Sequence, residues 1–239
     1  MNKQNSWVED EEKVDKQFCD YFAELFTTSN FNSDHILAAL GELAPTITDE
    51  MNQQLDSSFS AEEIYTTISQ MSPTKAPGPD GLLAAFYQKH WHLVRYGVIN
   101  TCLHILNNGG DIALLNHTHI ALILKVSKPS RVTDFRPISL CNFIYRIVAK
   151  TIANRLKHIL YYIIVPTQSA FIPNKLILDN TIIGYECLHK IRHSKGKKHG
   201  LMALKLDVSK AYDRVKWPFL EQIMLRMRFL RRWVDLIMN

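Results

Sequence analysis

At 239 residues the chain is long enough to bury a sizeable core, as one large domain or two small ones. A composition 46% apolar and 21% charged excludes the disordered and fibrous classes, and no run of 18 uncharged apolar residues suggests a membrane span. The formal charge of +5 hides a steep asymmetry: residues 1–124 carry 6 Lys+Arg against 16 Asp+Glu, and residues 125–239 carry 22 against 7, so the halves stand at −10 and +15.

Val14, Phe18, Tyr21, Phe22 and Leu25 recur at helical spacing and predict an amphipathic helix over 9–27. The stretch from there to residue 58 is polar and poorly patterned, and no element is expected in it. Ser60 with Glu63 three residues on is a capping box, opening a helix through Ile64, Ile68 and Met71. Lys75-Ala76-Pro77-Gly78-Pro79-Asp80-Gly81 must be a loop, because two prolines remove two donors and Asp-Gly favours a turn. Helical pattern resumes from Leu82 to Leu106 and stops at Asn107-Asn108-Gly109-Gly110. His119–Val126 reads as a strand, Ser127–Ser130 as a turn, and Phe135–Ile138 as a second extended piece. From Asn142 a long helix follows, with Ile144, Ile147, Val148, Ile152 and Ile159 on one face and Arg146, Lys150, Asn154 and Lys157 on the other, until Pro166 ends it. A helix over Leu176–His193, a basic run at Lys195-Gly196-Lys197-Lys198, a buried strand at Leu201–Val208 and a helix at Trp217–Met227 complete the chain. The order is mixed α/β without the alternation of a doubly wound sheet. The expected division is an N-terminal helical and polar region, 1–58, and a main domain, 59–239.

A half-chain this basic meets a polyanion, with nucleic acid the commonest; a merely solvated basic surface is the alternative. The four cysteines form no C-x-x-C pair, and the N-terminus is acidic and polar rather than a secretory signal. Both features point to a reducing, intracellular compartment, nuclear or cytoplasmic. Leu204-Lys205-Leu206-Asp207-Val208 ends an apolar run on a carboxylate, which is expensive to bury without compensation. A divalent cation is one compensator, and oxygen ligands suit magnesium; a helix cap for the residues from Ser209 is the other reading of Asp207.

Four ordered stretches resemble the reverse transcriptase of non-LTR (LINE-type) retrotransposons, those of plants above all. They are KAPGPDG from Lys75 to Gly81; Asn116 to Leu140 with DFRPISL, then Cys141-Asn142; Gln168-Ser169-Ala170-Phe171 with Asp179-Asn180; and LKLDVSKAYDRV from Leu204 to Val215. Together they span about residues 59–239. The resemblance implies a right-hand polymerase fold, fingers and an incomplete palm, acting with an RNA template, a DNA primer, deoxynucleoside triphosphates and magnesium. It makes Asp207 the first catalytic aspartate, sharing the metals with the Val208 carbonyl, and Tyr212 the aromatic under the incoming sugar. Lys125 and Arg136 become the grip on the triphosphate, consistent with a point charge and a bidentate fork on phosphate oxygens. Without the resemblance both read as solvated hairpin charges, and Tyr212 as a packed aromatic. Gln168 and Phe171 fall near template and primer, and Lys195, Lys197 and Lys198 supply phosphate contacts.

The family's paired-aspartate turn lies beyond these motifs, and no Asp-Asp pair occurs in residues 1–239. The expectation is therefore a truncated polymerase domain, inactive alone, with a non-enzymatic nucleic-acid binder as the alternative. Three departures stand out. Leu124 occupies a usual proline position, Asn174-Lys175 replace Gly-Arg, and Arg228 replaces a glycine.

Overall fold

The computed structural model describes residues 7, 9–27, 33–41, 43–170, 172, 174–194, 201–208 and 211–239. Their architecture is mixed α/β, as expected: a set of helices with one antiparallel hairpin. Helix α1, Glu11–Phe26, starts where Asp10 accepts the Lys13 N–H at 3.3 Å, with Glu11 and Glu12 favourably placed in its first turn. Its Phe18 ring meets Phe135 of the hairpin edge-on at 5.1 Å between centroids.

Two helices fall where none was expected. Helix α2 is Ser33–Gly41 and α3 is Asp49–Asp56. In α3 only Asn52 and Leu55 are buried, and Thr48 caps it by accepting the Met51 N–H at 3.2 Å. Two turns with a single buried apolar residue carry no periodic signal, so the cap and tertiary packing make the helix.

Helix α4, Ala61–Ser69, opens on the capping box read from the sequence. Glu63 N–H donates to Ser60 Oγ at 3.3 Å, and Ser60 N–H donates to Glu63 Oε2 at 2.8 Å. The helical stretch after the proline loop divides at His90 into α5, Ala84–Lys89, and α6, Trp91–Asn108, which ends at left-handed Gly109. Strands β1, Thr118–Leu124, and β2, Phe135–Cys141, pair from Thr118↔Cys141 to Leu124↔Phe135. Helix α7, Phe143–Ile163, stops short of Pro166. Helices α8, Ile177–His193, α9, Trp217–Arg226, and α10, Arg231–Met238, follow.

The segment 201–208 corrects an expectation. It forms no strand, and every residue in it is exposed. A strand satisfies its backbone only by pairing, and among the described residues β1 and β2 pair only with each other. Apolar content made the segment look buried, but no neighbour buries it.

The core joins α3, α4, α6, α7, α9 and α10 through Leu55, Ile64, Cys102, Phe143, Met224 and Val234. At its edge sits Arg155, only 8% exposed. Its guanidinium grips Glu63 through Nε at 3.0 Å and Nη2 at 2.7 Å, and donates to the carbonyls of Leu55, Ser57 and Ser58. It also stacks 3.5 Å from the Phe59 ring centroid. Glu63 thus closes the α4 capping box and neutralises the buried arginine of α7, fixing these helices together.

Candidate functional site

Two of the sequence stretches prove to be one joint. The 75–81 loop lies against the end of β2 and the start of α7. A Cβ on Gly78 would collide with the Cys141 carbonyl and stand 2.7 Å from the Asn142 nitrogen, so no other residue allows this approach. Asp80 Oδ2 then accepts the Phe143 N–H at 2.6 Å, capping α7 from 63 residues away. Asn142 Oδ1 accepts the Asp80 N–H at 3.0 Å, while its amide donates to the Leu115 carbonyl at 3.0 Å. Gly81, at φ 66°, closes the turn with its N–H on the Gly78 carbonyl. Arg146 reaches back to the Ala76 carbonyl at 3.2 Å. The loop, hairpin and α7 are therefore set by one network. Sequence reading found both stretches but read Asp80 only as a turn residue and gave Asn142 no role; the available signal was an Asn placed between a strand and a helix.

The joint holds the base of a hairpin whose far end carries Lys125 and Arg136, both exposed. Arg136 faces Ile123 in the register, and Lys125 N–H donates to the Asp134 carbonyl at 2.8 Å, continuing the ladder one step. Side chains alternate along strands, so positions 123, 125, 134 and 136 share one face, with Lys125 and Arg136 on its diagonal. Lys125 Nζ donates to the Thr133 carbonyl at 2.8 Å, which leaves two of its three N–H groups. Asp134 accepts the Ser130 and Arg131 N–H groups at 2.9 and 3.0 Å. Those two bonds hold its carboxyl below the usual aspartate range, with Arg131 and Lys125 adding to the effect. A rigid loop with a permanent carboxylate at its centre thus presents two cations on one surface.

The third stretch forms a turn between α7 and α8. Ser169 is buried and accepts from the Asn180 amide, and Asp179 caps α8 by accepting the Leu176 N–H at 3.2 Å. Gln168 is exposed and bonds to the Ala170 carbonyl at 3.3 Å. Lys175 Nζ ties the turn together on the carbonyls of Pro166, 2.6 Å, and Gln168, 3.0 Å. Asn174 adopts φ 61° there. Phe171 lies outside the described residues.

Asp207 and Val208 stand exposed on the irregular 201–208 segment. Tyr212 begins a single 3-10 turn, Tyr212–Arg214, and its side chain lies outside those described. Lys195, Lys197 and Lys198 also lie outside the described residues. No three His, Cys, Asp or Glu side chains converge among the described ones. A hard dication takes several oxygen ligands, and Asp207 brings one carboxylate. All four cysteines are free, and burial pushes the Cys102 thiol up to about 12, leaving it inert.

Residues 125–238 match the family model for reverse transcriptase (RNA-dependent DNA polymerase). Fold and motifs agree with that class, and the chain is similar to reverse transcriptase proteins of the non-LTR retrotransposon kind. It is 27% identical over 213 residues to the Xenopus laevis transposon TX1 uncharacterized 149 kDa protein, covering 89% of this chain and 16% of that protein. It is 26% identical over 192 residues to the retrovirus-related Pol polyprotein from the type-2 retrotransposable element R2DM of Drosophila melanogaster, covering 80% of this chain and 17% of that protein. The chain thus spans about a sixth of either relative.

Proposed function

We propose that this chain forms the nucleotide-gripping part of an RNA-directed DNA polymerase, acting with a deoxynucleoside triphosphate, an RNA template and a DNA primer. The observation that carries the reading is the pair Lys125 and Arg136 on one face of a hairpin anchored at its base by Asp80 and Asn142. A point charge and a planar fork held together suit the oxygens of a triphosphate. In this reading residues 59–239 are fingers and the beginning of a palm, preceded by an N-terminal helical and polar region, 1–58. The wording of the motifs supports a plant element. Asp207 is assigned as a metal-binding carboxylate and Tyr212 as the steric guard of the sugar. Asp207 brings one carboxylate where a hard dication takes several oxygen ligands, so no chemical step is assigned to these residues alone, and the isolated chain should not extend a primer.

Two measurements test the proposal. A fluorescent deoxynucleoside triphosphate should bind the isolated chain, with Arg136→Ala and Lys125→Ala each weakening binding about tenfold, since a charge-assisted hydrogen bond is worth roughly 1.5–3 kcal/mol. Binding indifferent to both substitutions removes the grip. Joining the remaining polymerase of an active relative should yield primer extension on RNA in magnesium buffer, abolished by Asp207→Asn. An active fusion that tolerates this change would overturn the assignment of Asp207.

A further inference from the structure

The outer side of α7 holds a charge cluster that neither the hairpin grip nor the core explains. Arg146, Lys150 and Lys157 are four and seven residues apart, spacings that return to one side of a helix. Lys75 reaches the same side from the proline loop, whose next residue, Ala76, receives the Arg146 hydrogen bond. Among the described residues none of these four cations pairs with a carboxylate, although surface ion pairs form elsewhere, as at Arg231–Asp235 and Arg232–Asp56. Arg146 is fixed by the Ala76 carbonyl and lies 5.5 Å from the Phe143 ring centroid, while its Nε and Nη2 are covered and have no partner. Positive charge is therefore concentrated and uncompensated on a rigid support. Lys150 responds to it: partial burial first, and then the Lys157 and Lys75 charges, push its ammonium below the usual lysine range.

We infer that Lys75, Lys150 and Lys157, gathered around the covered guanidinium of Arg146, form a strip that binds the phosphodiester backbone of a nucleic-acid strand. Successive phosphates on an extended polyanion match a row of cations along a helix, whereas a single small anion would neutralise only part of it. The choice of nucleic acid rests on the polymerase reading above. The strip is distinct from the triphosphate grip at Lys125 and Arg136, and from Lys195, Lys197 and Lys198. Phosphate contacts position a strand without reading its sequence, so binding is indifferent to base composition.

The test uses the full chain and a labelled single-stranded RNA oligonucleotide titrated over a range of salt. Each lost phosphate contact flattens the log–log salt dependence by about 0.7 for a single strand. Lys75→Gln, Lys150→Gln and Lys157→Gln together should reduce the slope by about two and weaken binding roughly a hundredfold at about 100 mM salt. The same number of charges removed at Lys13, Lys16 and Lys89 should leave the slope unchanged. An unchanged slope in the strip variant, or an equal loss in the remote one, overturns the inference while the polymerase reading stands. Absence of RNA binding by the unaltered chain at low salt sinks both. Acetylation footprinting of the unaltered chain needs no variant: RNA should protect Lys75, Lys150 and Lys157 but not Lys89, and equal labelling with and without RNA would also overturn the strip.

Discussion

Arg228 holds φ at 74° and Asn174 at 61°, the two non-glycine residues with positive φ among those described. Both are departures from a glycine pattern in the sequence, and the positive φ at each is the conformation that favours glycine. An L side chain there costs about 1–2 kcal/mol, and Asn pays less than Arg because its short amide tolerates the left-handed region. The surroundings hold Arg228 in place. Asn52 donates its amide to the Arg228 carbonyl at 2.8 Å and accepts the Leu230 N–H at 3.1 Å, bracing the turn on both sides. Arg228→Gly should therefore stabilise the chain by about 1 kcal/mol, and Asn174→Gly by a smaller amount. The readout is the urea midpoint with an unchanged denaturant slope. A destabilised Arg228→Gly would mean that the arginine side chain compensates its own backbone. These two positions were legible from the sequence because a missing glycine is a local signal. Asp80 as the cap of α7 was not, because its partner Phe143 lies 63 residues away and no periodicity links them.

At the scale of elements, legibility followed the strength of the local pattern. The hairpin, α7 and the capping box of α4 are visible because apolar spacing and caps agree. Helix α3 is polar along most of its length and is held by Asn52, Leu55 and the Thr48 cap, so its formation depends on partners distant in sequence. Arg155 was hidden for a related reason. It lies on the buried side of α7 with Thr151, where a sequence reading counts only apolar residues. Its burial makes it the hinge of the α3–α4–α7 packing. Arg155→Met keeps the apolar stem but leaves the Leu55 and Ser57 carbonyls without this donor and Glu63 with Ser60 alone. A buried carbonyl left without its donor costs about 1–3 kcal/mol, a large part of a typical domain's stability. A strongly lowered melting midpoint is expected, and Glu63→Gln should cost less because that carboxylate is partly exposed and the amide oxygen can still accept. A variant Arg155→Met melting within a degree or two of the parent would show that the network is dispensable.

Across the whole molecule, the apolar surface is as uneven as the charge. Helix α8 buries no residue, and Leu178, Ile182 and Tyr185, at i, i+4 and i+7, are 66%, 58% and 73% exposed. The 201–208 segment adds Met202 and Leu206 at 84% and 80%. The sequence predicted a helix for the first stretch and a buried strand for the second, and an apolar pattern does not report whether anything covers it. Contiguous exposed apolar area beyond a few hundred Å² drives association. The isolated chain should therefore bind a hydrophobic dye in its folded state and sediment with a mass that rises with concentration. Leu178→Lys with Ile182→Lys places two charges in the stripe and should suppress both effects. Because these side chains are exposed, the double substitution should move stability by no more than about 0.5 kcal/mol per site, the range for surface changes. A large loss of stability would show that α8 is packed in solution rather than open. A parent chain that stays monomeric at every concentration and binds no dye would contradict the exposed stripe itself.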